Sequence, residues 1–262
     1  MRARRFAPIF GAMNRARSHP GPAPDAFRIA SYNMHKGVGA DGRRDPARIA
    51  GVLAEIDADI VALQEADRRF GDMAGVLDLD AVRALTGLAP IPLERRGRAH
   101  GWRGNLVLLR NIDVERVEQI DLPGLEPRGA VMIDIIRAGQ PLRVVAAHLG
   151  LLRRSRLAQA QALSEVLAAE PPRPTLLAGD LNEWRLTRRS SLEPLMPHAP
   201  GALVKSFPAR RPLLALDRIL ACPATDVIEM SSHDTPLARV ASDHLPVKAW
   251  IRARDGSATL SA

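Results

Sequence analysis

Thr175 to Asn182 reads TLLAGDLN, an apolar run that closes on Gly179 and is followed by an acid, one spacer and an amide. A short apolar run closed by glycine reads as a buried strand ending at a turn. Side chains alternate along an extended chain, so Asp180 and Asn182 are expected on one side. That side lies at the strand's exit, where open α/β sheets usually place their sites. A carboxylate and an amide aimed at one spot suit a water and an oxyanion. A solvated turn uses the same residue types, so this stretch alone leaves both readings open.

The totals narrow the choice. A chain of 262 residues with 46% hydrophobic content is long enough for one large core. No apolar run approaches the ~20 residues of a membrane span. The single cysteine, Cys222, excludes an intramolecular disulfide and a cysteine-cluster metal site, and fits a reducing, cytoplasmic setting. The net charge of +8 comes mostly from arginine. That suits a phosphate-bearing partner, because the guanidinium fork pairs two phosphate oxygens, and it equally suits a general compositional habit. Aromatics are only 3% of residues, which leaves few stacking platforms for single-stranded nucleic acid.

Residues 1–25 read as a flexible basic tail. Arg2, Arg4, Arg5, Arg15 and Arg17 flank a brief apolar patch, Phe6 to Met13, and SHPGPAPDA follows with a linker's composition. The apolar centre and cleavage site are poor for a signal peptide. The tail is suited to touching anionic lipid or nucleic acid, which would give peripheral membrane association; a start codon placed too early, with Met13 as an alternative, is the other reading. Residues 26–254 are expected to form one domain, and 255–262 a short C-terminal tail.

Within the domain, FRIASYNMH (27–35) alternates like a strand, and Pro46 opens a helix with Ile49, Val52, Leu53 and Ile56 at helical spacing. DIVALQE (59–65) is a second buried strand, so the three form a crossover unit. A short helix is expected over 79–88 and a strand over 104–110. Residues 114–122 and 130–137 read as antiparallel partners. LRVVAAHL (142–149) delivers His148, and a helix spans about 153–169 until Pro171, Pro172 and Pro174 end it. After Asn182 a short helix is expected over 190–195 and a loop over 197–212. Strands are expected over 214–221, 226–230 and 245–251.

Asn33, Glu65, Asn105, His148, Asp180, Asn182, Asp217, Asp243 and His244 all interrupt or end these strands. A buried polar group left unpaired costs about 1–3 kcal/mol, so nine from separate segments are best explained by one shared site. Magnesium takes oxygen ligands from one or two carboxylates, and Glu65 with the Asn33 amide fits that supply. Clustered His or Cys for zinc is absent, and DLN lacks the Gly and terminal Glu of a calcium loop.

The motifs SYNMHKG, LQE, GNLVLLR, AAHLGL with Arg156 and Gln159 downstream, GDLNEW, DRIL and SDHLPV occur in this order. Together, over about residues 27–252, they resemble the endonuclease/exonuclease/phosphatase superfamily. The resemblance implies an α/β (α+β) fold, a four-layer sandwich of two mixed β-sheets packed face to face with helices outside. It implies a magnesium-dependent phosphohydrolase, with manganese as a substitute metal. By the same resemblance Glu65 binds the metal, with Asn33 beside it and Asp243 near. Asp180 deprotonates the attacking water, Asn182 donates to the phosphoryl group and Asp217 orients His244. His148 donates to the phosphate or assists the leaving group. Asn105, Arg156 and Lys36 are the candidate substrate contacts, although Asn105 equally suits tying loops together and Arg156 and Gln159 equally suit bracing the His148 loop.

Lys36, Arg43, Arg103 and Arg218 are further candidates for binding an anion, whereas His35, His100, His198 and His233 read as loop residues. The expected substrate is a phosphodiester, either nucleic acid or a phospholipid headgroup. A phosphomonoesterase of the inositol-phosphatase type fits less well, because LLAL precedes DRI. A non-catalytic anion-binding module on the same scaffold is the alternative from another class. A monomer without a stable protein partner is expected.

Overall fold

A computed structural model describes residues 26–253, apart from 69–70, 95–96, 138, 186–189, 197–198, 201–202 and 223. The expected basic tail, the 255–262 tail and His198 lie outside the described residues.

Two six-stranded mixed sheets form the middle of the protein. In spatial order the first holds β11 (Thr225–Ser232), β12 (Val247–Ala253), β1 (Phe27–Asn33), β2 (Ile60–Gln64), β4 (Leu106–Leu109) and β3 (Ala89–Pro90). The second holds β5 (Asp113–Leu122), β6 (Arg128–Arg137), β7 (Gln140–His148), β8 (Thr175–Asp180), β10 (Asp217–Ala221) and β9 (Ala199–Pro200). The helices are α1 (Pro46–Ile56), α2 (Leu79–Thr86), α3 (Arg153–Ala169) and α4 (Ala238–Ala241).

Helix α1 begins where its sequence says it should. Pro46 sits in the first turn, and the Asp45 carboxylate accepts from Ala47 N at 3.2 Å. Its buried stripe of Ile49, Val52, Leu53 and Ile56 packs on the outer face of the first sheet, beside Val61 and Leu63. Helix α3 covers the second sheet through Ala160 and Leu163, against Val145, Ala147 and Leu177. Between the sheets lies a third apolar layer, with Ile29, Ala62, Ala146, Leu176, Ala178 and Ile219 at its centre. Three apolar layers between four strata of secondary structure make the four-layer sandwich that the resemblance implies.

Strands β1 and β2 are parallel and joined through α1, as the crossover reading requires, and β5 and β6 are antiparallel. The period of two then places polar residues on the inner faces. Ile29 and Ala62 face the inter-sheet core, so Ser31, Asn33 and Gln64 continue that face beyond it. On the other sheet Ala146, Ala178 and Ile219 are followed on the same face by His148, Asp180 and Asp217. All six polar residues are buried. The site is the end of the inter-sheet core at which the apolar residues stop.

Several boundaries differ from the sequence reading. Strand β8 continues through Gly179 to Asp180, so this glycine is not a turn. Its role is steric: a Cβ there would lie 1.8 Å from the carbonyl oxygen of Ala147 on the neighbouring strand. Strand β10 starts at Asp217 and not at 214, because Leu214 bridges back to Phe207 and the Leu216 carbonyl accepts from Leu181 N. Residues 190–195 contribute one 3₁₀ turn, Glu193–Leu195. The two-residue strands β3 and β9 and the one-turn helix α4 are too short to leave a periodic signal.

Leu176 is fully buried between the sheets. Leu176→Ala should lower unfolding stability by about 2–5 kcal/mol, read from the denaturation midpoint with its slope unchanged.

Candidate active site

Register builds the centre of the site. His148 on β7 pairs with Asp180 in parallel, and Asp217 on β10 pairs with Asp180 in antiparallel sense. Direct partners share a face, so Asp180 stands between a histidine and a second carboxylate. The His148 Nε2 lies 3.6 Å from Asp180 Oδ2. The Asn33 amide reaches over from the other sheet and donates to Asp180 Oδ2 at 2.9 Å. His244 closes the group, with Nε2 3.8 Å from Asp180 Oδ2 and Nδ1 2.8 Å from Asp217 Oδ2. Ser206 Oγ also donates to Asp217 Oδ2, at 2.6 Å. The Phe207 ring packs on the imidazole of His244, with centroids 4.8 Å apart.

Burial sets the electrostatics. Asp180 is 2% exposed. Desolvation, helped by the charge of Asp217, pushes its carboxyl up to about 6, against the opposing pull of His244 and the hydrogen bonds from Asn33 and Asn182. For His244, burial alone would lower the value, but the charge of Asp217 and its hydrogen bond raise it to about 10. The arrangement therefore pairs a carboxyl poised near neutrality with a histidine that holds its proton. That is the complement required to accept one proton and to stabilise an anion.

The strand alternation that predicted a shared side for Asp180 and Asn182 stops at Asp180. Asn182 lies beyond the strand with a left-handed φ of 51°, where its N donates to Asp180 Oδ1 and its amide to the Leu149 carbonyl. Glu65 also breaks alternation. Val61 and Leu63 face α1, and a continued strand would send Glu65 the same way; a φ of 55° turns it instead. It lines a cavity together with Lys36, Trp102, Arg103, Arg128 and His148. Lys36 and Arg103 are left-handed too, at 56° and 50°. His35 shares the conformation at 44°; non-glycine residues hold it at a cost of about 1–3 kcal/mol, and here five of them surround one site.

The Lys36 ammonium contacts the Glu65 carboxylate. The Asp243 carboxylate lies 3.5 Å from His35 Nδ1. His35, expected as a mere loop residue, is thus at the site, and its N donates to Asn33 Oδ1 at 3.0 Å. His100 and His233 are away from it, bonded to the Leu77 carbonyl and to Glu55.

Two candidate substrate contacts take the structural alternative that the sequence offered. The Asn105 amide is buried and donates to the carbonyls of Trp102 and Gly129, so it ties two loops together. Arg156 is buried beneath the loop after His148, donating to Ser191 Oγ and to the carbonyls of Gly150 and Leu151. Gln159 supports the same loop by accepting from Gly150 N. Arg218 also points away from substrate, because its neighbour Asp217 takes the inner face; its Nη2 donates to the Glu183 carbonyl at 2.6 Å. Arg128, Ser206 and Glu183 were not anticipated. Arg128 and Ser206 sit in segments without local pattern, and Glu183 was visible only as a letter of GDLNEW.

Among the described residues, Asp180, Asp217 and His244 present possible metal-ligand atoms within 4.8 Å of one another. The set that the resemblance implies, Asn33, Glu65 and Asp243, offers oxygen alone.

A model of the Endonuclease/Exonuclease/phosphatase family matches residues 30–244. The chain belongs to this family. Members of the Endonuclease/Exonuclease/phosphatase family hydrolyse phosphoester bonds and generally depend on a divalent metal. Among related sequences, the uncharacterized protein YbhP of Escherichia coli K12 is 29% identical over 260 residues, covering 86% of this chain and 96% of its own. The structure of mannosyl-6-phosphatase Bt3783 of Bacteroides thetaiotaomicron is similar at a TM-score of 0.66 and 19% identity, covering 86% of this chain and 99% of that one. That of D. rerio TDP2, complexed with a single-strand DNA product, gives 0.63 and 16%, covering 87% and 99%. At such identities the structures establish the family's fold. No helix among the described residues is long and apolar enough to cross a membrane.

Two predictions follow from this geometry. Gly179→Ala should force β7 and β8 apart, lower stability by about 1–3 kcal/mol and abolish turnover, measured by melting and by phosphoester hydrolysis. The second concerns Glu183, which is buried under the loop. Burial opposes its charge, yet hydrogen bonds from Arg185 N and Ser191, with the charge of Arg156, hold its carboxyl below the usual range. Its stabilisation is therefore complete above pH ~4.5 and is lost as pH falls through the lowered folded-state value. The stability gap between wild type and Glu183→Gln should be widest at neutral pH and close on acidification, as read from melting temperatures at a series of pH values.

Proposed function

We propose that the chain is a phosphodiesterase in which Asp180 takes a proton from the attacking water. The observation that carries this is the environment of Asp180: a buried carboxyl raised towards neutrality, flanked by two histidines and held by an amide from the opposite sheet. A base is most effective when its pKa approaches the working pH, and such help is worth about 10²–10⁴-fold.

The oxygen-only set of Asn33, Glu65 and Asp243 fits magnesium, or manganese in its place. The Lys36 ammonium on Glu65 supports this reading, since that carboxylate already faces a positive charge. In the other set, Asp217 Oδ2 already accepts from His244 and Ser206. A divalent ion held by the first set would supply Lewis-acid stabilisation of the phosphoryl oxygens. His244, oriented and charged by Asp217, donates to the developing phosphoryl anion. Asn182 donates with the amide hydrogen that Leu149 does not take. His148 serves the leaving oxygen.

The substrate reading rests on the cavity wall. Lys36, Arg68, Arg103 and Arg128 line it, with Trp102 among them, and such a wall suits a phosphate that bears organic groups on both sides. Nucleic acid and a phospholipid headgroup both meet that description. The single-strand DNA product bound by TDP2 supports the first. The activity in the name of the Bacteroides relative keeps a sugar phosphate monoester in the comparison.

The test is hydrolysis of bis-p-nitrophenyl phosphate with magnesium and after chelation. Turnover should require the metal and fall by about 10²–10⁴-fold in Asp180→Asn. Metal-independent turnover, or none from any of plasmid DNA, single strands, phospholipid vesicles and a sugar 6-phosphate, would instead favour an anion-binding module on the same scaffold.

A further inference from the structure

We propose that Lys36 is an exchangeable cation: it neutralises Glu65 until a divalent ion arrives, and is then handed to the substrate's phosphate. The proposal rests on the reading of Glu65 as a metal ligand and adds a linkage between metal and substrate that this reading does not require.

The ammonium of Lys36 meets the Glu65 carboxylate at the wall of the cavity that also holds His148 and Arg128. Both partners are accessible, with side chains 26% and 22% exposed, so an ion from solvent can reach the carboxylate without unfolding anything. The backbone commits Lys36 to this place. It sits in the 3₁₀ turn His35–Gly37, which is anchored on the site by the bond from His35 N to Asn33 Oδ1 and braced by Arg44 Nη1 on the Lys36 carbonyl.

Two other cations of the cavity already have acid partners. Arg128 pairs with Glu126 at 2.9 Å, and Arg103 with Asp121 at 2.8 Å. The remaining carboxylate of the wall, Asp67, accepts from the backbone N–H groups of His100 and Gly101. Among the described residues Lys36 has no acid partner but Glu65. A divalent ion on Glu65 repels the ammonium at short range, and Lys36 then has no protein anion to turn to. A phosphoryl group entering the same cavity supplies one. Metal and anion should therefore bind with positive coupling, and the coupling must be reciprocal.

The experiment is calorimetric titration of the whole chain with manganese, and with inorganic phosphate in the presence and absence of manganese. Lys36→Gln should bind manganese about 5-fold or more tightly, the lower end of typical coupling, because no ammonium has to leave. It should bind phosphate more weakly in the presence of manganese, and lose most of the enhancement that manganese confers on wild type. Lys36→Arg keeps the competing charge and should bind manganese as wild type does, which controls for damage to the turn. Unchanged or weaker manganese binding by Lys36→Gln, or unchanged phosphate affinity, overturns the exchange. Glu65→Gln separates the two layers. If it loses manganese while Lys36→Gln is silent, only the exchange fails; if it binds manganese normally, the metal seat fails and the exchange with it.

Discussion

Two hydrogen bonds join the halves of this protein at its site: the Asn33 amide, from the first sheet, to the Asp180 carboxylate of the second, and His244, which leads into the first sheet, to Asp217 of the second. All four side chains are buried, and each would carry a penalty of about 1–3 kcal/mol without its partner. The bonds therefore fix the separation of the sheets where apolar packing ends. They also divide the labour. Glu65 and Asp243 belong to the first sheet and its loops, whereas Asp180, Asp217 and His148 belong to strands of the second. Neither half is a complete site, which makes the packing of Ile29, Ala62, Ala146 and Ala178 between the sheets a part of the chemistry.

Charge is concentrated here at a density that folding alone would not favour. Asp180 and Asp217 are direct cross-strand neighbours, and like charges in that position repel. His244 offsets them by holding a proton, and Asn33, Ser206 and the N–H of Asn182 donate hydrogen bonds to the pair. Behind this layer, Glu183 accepts from Ser191 Oγ at 2.8 Å and faces Arg156 Nη2 at 3.6 Å, while Arg218 donates to the Glu183 carbonyl. That buried group ties the chain leaving Asn182 to α3 and β10. The left-handed backbone at Asn182 and Glu65 persists because such neighbours over-determine it.

Much of this was legible in the sequence because strands record their faces. The period of two that made Leu176 and Ala178 core also aimed Asp180 into the site, and the same logic located Asn33, His148 and Asp217. Order of motifs supplied the layers, which periodicity alone does not specify. What escaped was set by contacts between distant segments. Gly179 reads as a turn because Ala147, whose carbonyl it approaches, lies 32 residues earlier (179 − 147) and is invisible to local pattern. Arg156 reads as a substrate contact or a brace for the His148 loop, and Arg218 as an anion binder, because nothing near either announces the Glu183 loop that covers them. Glu65 was found despite alternation, since one positive φ reverses the face on which it would otherwise lie.

The central claim is that a divalent cation sits on the first sheet's side of the Asn33–Asp180 bond while proton transfer is conducted on the second. Anomalous diffraction from crystals soaked in manganese tests it most directly. The account predicts a single strong peak in contact with Glu65, Asn33 Oδ1 and Asp243. A peak coordinated instead by Asp217 and His244 would contradict it.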